Sequence, residues 1–235
     1  RFILTLPAEL LSLAAPRRRT RRAEKKKHQS QPTLSAWAQS FSAAMEHLGA
    51  LGEPDGDVEV QREQAQRELA RALKASRGPG VPKDALATTL RGMGFALAER
   101  SDYDHSLVMY ERALVEALKA GGSPESTIGC RRDVAAVLCE LGRHAKAEPH
   151  WREAVSAQEA LIERLGPTHG TDALEQLKLS LAETLRNLHK FDEAQRLAGS
   201  VLADRSARLG ANEPLVLAAE YELARHKRAK VIGEA

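Results

Sequence analysis

The sequence predicts an all-α fold: an α-solenoid of about four helical hairpins with a C-terminal capping helix, preceded by an extended basic N-terminal arm. Three observations support this prediction. A short sequence motif recurs at intervals of 41, 41 and 47 residues, and a period in this range is typical of stacked arrays of helices. Ala and Leu dominate while aromatic residues make up 4%, which favours close-packed helices over strands. Apolar residues also recur at helical spacing between Gly- and Pro-containing breaks.

The recurring motif has three positions. The first is a small residue, the second, four positions later, is usually large, and the third, three positions after that, is Ala or Val. Its four copies are Ala65/Leu69/Ala72, Ser106/Tyr110/Ala113, Ala147/Trp151/Ala154 and Ala194/Ala198/Val201. These positions share one helix face, where the small residues allow two helices to approach closely and the large residue fills the space beside them. The motif therefore predicts that the two helices of each hairpin cross at this point, with Tyr110 and Trp151 in the core.

Residues 1–33 form the predicted basic arm, which has a short apolar stretch at 2–15 followed by a basic block. The arm holds nine Lys or Arg and two acids, a charge of +7, so the rest of the chain carries −4 of the total +3. The apolar stretch is compatible with the end of a targeting segment or with a segment that docks onto a partner. The basic block comprises Arg17, Arg18, Arg19, Arg21, Arg22, Lys25, Lys26 and Lys27.

Such basic blocks are solvated or disordered unless a partner orders them. This one is suited to RNA, to an anionic membrane surface or to an acidic protein, and a solvated linker or targeting remnant is an equal alternative.

The predicted array occupies residues 34–230, with Gly- or Pro-containing breaks between its helices. Ser123 and Pro124 are suited to the N-cap and first position of the fifth helix. Gly94 lies in mid-helix and is expected where two helices come closest. The predicted hairpins cover about 34–76, 83–120, 124–165 and 171–209, and the predicted capping helix covers 213–230 with an outward polar face of Arg225, His226, Lys227, Arg228 and Lys230.

The small residue at each crossing resembles the tetratricopeptide repeat family, whose helical hairpins keep small residues at that position. The repeats here are longer than the usual 34 residues. The connectors that begin Leu165-Gly166-Pro167 and Leu209-Gly210 are similar to those of the long, kinesin-light-chain-type repeats, and Phe191-Asp192-Glu193-Ala194 matches the family's hairpin turn. The resemblance covers 83–230 well and 34–76 less well. Departures include the extra loop at 52–57, Ser106 in place of Ala, and Ala198 in place of a large residue.

The resemblance implies that the first helix of each pair lines a concave groove that binds an extended peptide or a partner helix. The Asn residues of the family's clamp for C-terminal carboxylates are missing beside the arginines, which disfavours a chaperone-tail clamp. Carried over by position, the partner-binding residues are Arg91, Phe95, Arg132, Glu183, Arg186 and Asn187, with Ala98, Ala136, Cys139 and Leu179 beside them.

Other function classes find little support in the sequence. Gly92-Met93-Gly94 lacks the third glycine and the preceding strand of a dinucleotide turn, and His144, Glu148 and His150 do not share one helix face. Trp37 is the best candidate for an exposed aromatic residue. The longest apolar run, 2–15, is shorter than the roughly 20 residues needed to cross a bilayer. No cofactor, metal site or catalytic motif is predicted.

The two cysteines, Cys130 and Cys139, lie nine residues apart on opposite faces of one helix and cannot pair with each other. Free cysteines fit a reducing intracellular compartment, either the cytoplasm or an organelle interior. The predicted function is a non-enzymatic scaffold or adaptor, an accessory subunit of a larger complex that binds a protein partner in the groove. The alternative is an RNA-associated accessory protein of an organellar ribonucleoprotein, which binds through the basic arm.

Overall fold

The structure, a computed structural model, describes residues 35–52, 57–78, 81–121, 123–166, 170–210 and 213–233. The described residues form α-helices with one 3₁₀ turn at Ala50–Gly52, and none of them is in a strand, so the all-α prediction is confirmed. The predicted basic arm lies outside the described residues. The helices are α1 (Ala36–Gly49), α2 (Val58–Ala75), α3 (Ala85–Ala98), α4 (Tyr103–Lys119), α5 (Pro124–Glu140), α6 (His144–Leu165), α7 (Thr171–Asn187), α8 (Phe191–Leu209) and α9 (Pro214–Gly233).

Several helices begin at the side chains that the sequence marks as caps. Ser35 accepts a hydrogen bond from the backbone N–H of Ala38 at 3.2 Å, and Asp57 accepts two from the first turn of α2. Ser123 caps α5 by accepting from Ser126 N–H at 3.1 Å, with Pro124 at the first helical position as predicted. Each side chain satisfies a backbone donor that has no partner within its own helix.

The helices fall into two compact units, an N-terminal unit of α1–α4 and a C-terminal unit of α5–α9. In the N-terminal unit α1 pairs with α2 and α3 with α4, and α2 packs on α3. In the C-terminal unit α5 pairs with α6 and α7 with α8, α6 packs on α7, and α9 packs on α8 while also touching α7. Each hairpin thus stacks on its neighbour within a unit. In the C-terminal unit the first helix of each hairpin is α5 or α7.

The recurring motif lies at the helix crossings in both units, and all twelve of its positions are buried. Gly94 shows why the crossing needs a small side chain: a Cβ built on it would lie 2.8 Å from two ring carbons of Tyr110. Ser106, the departure from Ala in this copy, donates its hydroxyl proton to the Gly94 carbonyl at 2.7 Å. The buried serine therefore has a partner and ties α4 to α3.

Three hairpin turns use one backbone geometry. Ser101, Gly142 and His189 all have positive φ, at 60°, 70° and 60°. In each turn the following N–H donates to a carbonyl five residues earlier, at 3.0 Å onto Leu97, 2.8 Å onto Leu138 and 2.9 Å onto Leu185. This bond closes the C-terminus of the first helix and directs the chain into the second.

A buried ion pair joins α8 to α7 in the C-terminal unit. Arg205 Nε donates to Glu175 Oε2 at 2.7 Å, and both side chains are almost fully buried. Arg205 Nη1 also donates to the Leu215 carbonyl at 3.0 Å, and Arg208 donates to the second oxygen of Glu175 at 2.9 Å. The pair therefore satisfies its buried charges while holding the first turn of α9 in place.

Two expectations about single side chains are wrong. Trp37 is buried rather than exposed: its ring stacks on Phe41 with centroids 5.4 Å apart, and its Nε1–H donates to Thr89 Oγ1 at 2.8 Å. His226, expected on the outward polar face of the last helix, is also buried. It lies on the face of α9 that carries Val216 and Ala219, because positions seven and ten residues apart share a helix face.

The outward face of α9 does carry the exposed Lys227 and Arg228, as expected, while Arg225 and Lys230 are half-buried. It also exposes Leu217 and Tyr221, so this helix is less polar outside than the sequence suggested. None of the described helices is both long and apolar enough to cross a membrane.

Candidate partner-binding surface

The predicted binding residues fall into different environments in the two units. In the N-terminal unit Arg91 and Phe95, on α3, are 3% and 6% exposed. In the C-terminal unit Arg132 on α5 and Glu183, Arg186 and Asn187 on α7 are half-exposed. The residues on α5 and α7 therefore present more charged surface to a partner, and the binding role of all six stays a prediction.

Arg132 is held by its neighbour in the chain. Its Nε and Nη2 both donate to Asp133 Oδ1, at 3.1 and 3.0 Å, and Asp133 is buried. A buried carboxylate is costly unless it is paired, so Arg132 is kept close to Asp133. About a third of the Arg132 side chain still faces solvent. This arrangement presents a positioned guanidinium on α5, and such a planar group can bind a carboxylate or a backbone carbonyl.

Glu183 organises a second group of charges between α7 and α9. Its Oε1 accepts from Arg186 Nη2 at 3.2 Å and from Arg225 Nη2 at 3.0 Å. Arg225 also donates to Glu222 at 3.1 Å. The group Glu183, Arg186, Glu222 and Arg225 is called the α7–α9 charge cluster below. Burial acts to lower the pKa of Arg225, but Glu183 and Glu222 together outweigh it and the pKa is raised.

One donor of the α7–α9 charge cluster has no acceptor. The Nε of Arg186 is buried and has no hydrogen-bond partner among the described residues. A buried donor without an acceptor is costly, and because this Nε has essentially no exposed surface, a partner does not reach it unless the Arg186 side chain moves. The cluster is thus partly paired inside the protein, and a partner can approach it only through the half-exposed parts of Arg186 and Arg225.

A buried polar contact between α5 and α7 lies beneath these charges. Cys139 Sγ lies 3.3 Å from Thr184 Oγ1, whose own hydroxyl donates to the Ser180 carbonyl at 2.9 Å. Burial raises the pKa of the Cys139 thiol, which keeps it protonated and able to donate to the threonine oxygen. Cys130 and Cys139 are both free and buried. Cys139 therefore fixes the spacing of the two helices, and a buried neutral thiol is unreactive.

Sequence reasoning missed the part that α9 plays in this site. Arg225 was placed on an outward face, yet its guanidinium reaches back to Glu183 on α7. The available signal was the three-residue spacing of Glu222 and Arg225, which is nearly one helical turn and puts opposite charges on one side of the helix. The partner on α7, 42 residues away in the chain, depends on how the helices pack.

A separate ion network lies on the second helices α6 and α8. Arg152 binds Glu148 at 2.9 Å and Glu193 at 2.7 Å, and Lys190 binds Glu148 at 2.7 Å. Although burial acts to raise the pKa of Glu148, the two cations outweigh it and the pKa is lowered. The pKa of Glu193 is lowered by its hydrogen bond to Arg152. These contacts connect successive hairpins, and their charges are already paired.

No group of three or more His, Cys, Asp or Glu residues within the described ranges is arranged to hold a metal ion. The predicted basic arm, with its arginines and lysines at 17–27, lies outside those ranges, and its binding role stays a prediction.

Comparisons with known proteins agree with this architecture. A family model described as a tetratricopeptide repeat matches residues 127–169, which cover most of the α5–α6 hairpin. No curated protein sequence matches this chain. Two similar solved structures contain nearly identical TPR-like repeats of a candidate kinesin light chain from Podosopora anserina, one of them a single-residue variant. A third is BtubC (BKLC) from P. vanneervenii.

The three structures share the fold over most of each chain. The Podosopora variant has 16% identity and a TM-score of 0.66, covering 83% of this chain and 88% of its own. Its parent has 16% identity and a TM-score of 0.64, covering 81% and 86%. BtubC has 16% identity and a TM-score of 0.56, covering 85% and 91%. The predicted fold of kinesin-light-chain-like tetratricopeptide repeats is confirmed, and at this identity the likeness extends to the fold alone.

Proposed function

We propose that this protein is a non-enzymatic scaffold or adaptor, an accessory subunit of a larger complex, that binds a segment of a protein partner on the first helices of its C-terminal unit. Tetratricopeptide repeats generally mediate protein–protein interaction, and their helix pairs build extended binding surfaces. The observation that carries the proposal is the guanidinium of Arg132, which the buried Asp133 holds in place while about a third of its side chain faces solvent. A partner that supplies a carboxylate or a backbone carbonyl can bind this positioned guanidinium.

The expected mode of binding follows from the chemistry of the two surfaces. Arg132 on α5 and Arg186 on α7 offer guanidinium groups, and Glu183 on α7 offers a carboxylate. A helix or extended segment with acidic and backbone acceptors can use the arginines, and a basic side chain can approach Glu183. Because these charges are half-exposed, they contribute more to choosing the partner than to affinity, which comes from apolar contacts made at the same time.

The test is capture of partner proteins from the native source by the full chain, followed by mass spectrometry. Arg132→Glu combined with Arg186→Glu is expected to lose most of the captured protein, because the reversed charges repel the acceptors. Arg164→Glu makes the same kind of charge reversal at a single exposed position of α6 and is expected to retain the captured protein. Circular dichroism of all variants checks that helicity is unchanged. Equal capture by both variants would contradict the proposal.

A second candidate function rests on the +7 charge of residues 1–33: association with RNA through the basic arm. The two functions respond differently to salt and to deletion. RNA binding through the arm falls steeply between low and moderate salt and disappears when residues 1–33 are deleted. Partner binding on α5 and α7 survives the deletion and changes little with salt. Measuring retained protein and retained RNA in the same eluates separates the two.

A further inference from the structure

The last helix, α9, has two apolar faces. Its inner face packs on α8 through Val216, Ala219 and the buried His226. Its outer face exposes Leu217 at 52% and Tyr221 at 68%, with Val231 and Ile232 further along. Isolated exposed apolar residues are ordinary, but several of them aligned on one helix face indicate an interaction surface.

The exposed residues follow the spacing of a helix–helix seam. Leu217, Tyr221, Ala224, Arg228 and Val231 are separated by four, three, four and three residues. Alternating spacings of four and three residues are the heptad pattern with which one helix packs against another along its length. All five residues are exposed, so the row, called the α9 seam below, lies opposite the inner face and has no partner among the described helices.

Charges beside the α9 seam are divided between its two ends. The N-terminal half of α9 carries the exposed Glu220 and the C-terminal half the exposed Lys227 and Arg228, whereas Glu222, Arg225 and Lys230 are paired elsewhere in the unit. Glu220, Lys227 and Arg228 are exposed and make no hydrogen bond or ion pair with another described residue. A helix with an exposed acidic residue in its first half and exposed basic residues in its second half is complementary to a copy of itself that runs in the opposite direction.

We propose that the α9 seam is a self-association surface on which a second copy of this chain packs, with the two α9 helices antiparallel about a two-fold axis. In that arrangement Tyr221 of each copy lies against Ala224 of the other, where the small side chain gives the ring room. Each Glu220 lies beside Lys227 and Arg228 of the second copy, and the two-fold axis makes this contact twice. One patch thus supplies both halves of a closed interface, which is the usual design of a two-fold dimer.

The charge pattern favours a second copy over an unrelated partner or a lipid surface. A membrane-binding helix carries basic residues along its polar face, whereas α9 has acidic residues in its first half. The seam uses a single helix, so the buried area is smaller than the roughly 800 Å² per partner of a standard interface. The dimer is therefore expected to dissociate in the micromolar range. This self-association is independent of the proposed partner site, since the α7–α9 charge cluster lies on another side of α9.

The first test is sedimentation equilibrium of the full chain from low micromolar to several hundred micromolar concentration. The wild type is expected to pass from monomer to dimer. Tyr221→Glu is expected to raise the dissociation constant ten-fold or more, because it places a charge against the apolar centre of the contact. Glu163→Lys, a charge reversal at an exposed position of α6, is the control and is expected to leave the equilibrium unchanged.

The second test exchanges charges between two variants. Glu220→Lys alone, and Lys227→Glu with Arg228→Glu alone, are each expected to weaken the dimer by placing like charges opposite each other. Mixing the two variants is expected to restore dimers, because every contact in the mixed pair again joins opposite charges. A monomeric wild type at all concentrations, a dimer insensitive to these changes, or a mixture that stays monomeric would overturn the proposal and assign the α9 seam to another partner.

Discussion

Gly94 illustrates how a single residue determines a helix crossing. The ring of Tyr110 occupies the space that a Cβ at Gly94 would need, and Ser106 donates to the Gly94 carbonyl. The sequence indicated the close approach, because a glycine in mid-helix is costly unless contact requires it. It did not indicate the hydrogen bond, which explains why serine is accepted where the repeat usually has alanine.

Gly94→Ala is expected to lower the free energy of unfolding by about 1–3 kcal/mol, because the methyl group would displace the Tyr110 ring and this outweighs the gain in helix propensity. The matched control is Gly199→Ala in α8, where nothing lies within 4 Å of the added methyl group. That change is expected to stabilise by about 0.5–1 kcal/mol. Urea unfolding of both variants measures the difference, and equal effects would contradict the crossing.

His226 is the residue for which sequence reasoning and structure differ most. It was expected to face solvent among basic neighbours, yet it is 1% exposed. Burial lowers its pKa below 6.5, and Arg186 and Arg225 lower it further against the opposing effect of Glu222 and Glu183. A run of polar residues on one helix does not reveal which of them points inward when the apolar residues are distributed around the whole helix, as in α9.

The lowered pKa of His226 predicts how stability depends on pH. The unfolded chain takes up a proton near pH 6.5, whereas the folded protein resists it until the pH is lower. The stability associated with this neutral histidine is therefore complete above 6.5 and is lost as the pH falls towards the lowered pKa. His226→Leu removes the titrating group, and its urea midpoint is expected to fall less than that of the wild type between about pH 7.5 and 5.5. Parallel curves would contradict this.

At the scale of elements, the hairpin turns show what the repeat requires of the backbone. Ser101, Gly142 and His189 occupy equivalent positions with positive φ, which glycine adopts readily and other residues adopt at a cost. His189 is accompanied by an edge-to-face contact of its ring with Phe191, with centroids 5.6 Å apart. The turn geometry is thus common to three hairpins although only one of them uses glycine.

Ser101→Gly is expected to stabilise the chain by up to about 1 kcal/mol, because glycine relieves the left-handed backbone strain at a modest cost in unfolded-state entropy. The reciprocal change, Gly142→Ala, places a Cβ at the same turn position in α5–α6 and is expected to destabilise by about 1–2 kcal/mol. Thermal unfolding followed by circular dichroism measures both. Changes of the same sign would show that the two turns differ.

The sequence predicted local features of the elements better than contacts between them. Gly166 and Gly210 follow α6 and α8 as the connector pattern indicated, and Ser123 caps α5. The buried pair of Glu175 and Arg205 was not predicted, because the residues are 30 positions apart and only the packing of α8 on α7 brings them together. Charges that meet across helices leave no periodic signal in the chain, so the α7–α9 charge cluster could not be predicted either.

At the scale of the whole molecule, the fold class and the repeat architecture could be predicted from sequence, because every repeat must meet the same packing requirement. The binding partner could not, since a repeat surface is specified by half-exposed charges that vary without affecting the fold. The charged and polar residues predicted from the family pattern, Arg132 on α5 and Glu183, Arg186 and Asn187 on α7, are half-exposed, whereas Arg91 and Phe95 on α3 are buried. This difference is why the proposed partner site uses the C-terminal unit.

The most direct test of the proposed function is photo-crosslinking from the surface of α7. A photoreactive amino acid replaces Leu179, a half-exposed residue of the predicted groove, in the full chain exposed to extract from the native source. Replacement of the exposed Arg164 on α6 is the control. The account predicts a discrete protein adduct from position 179, absent from position 164 and lost when Arg132→Glu and Arg186→Glu are added. An adduct of equal yield from both positions, or crosslinking to nothing at position 179, would contradict it.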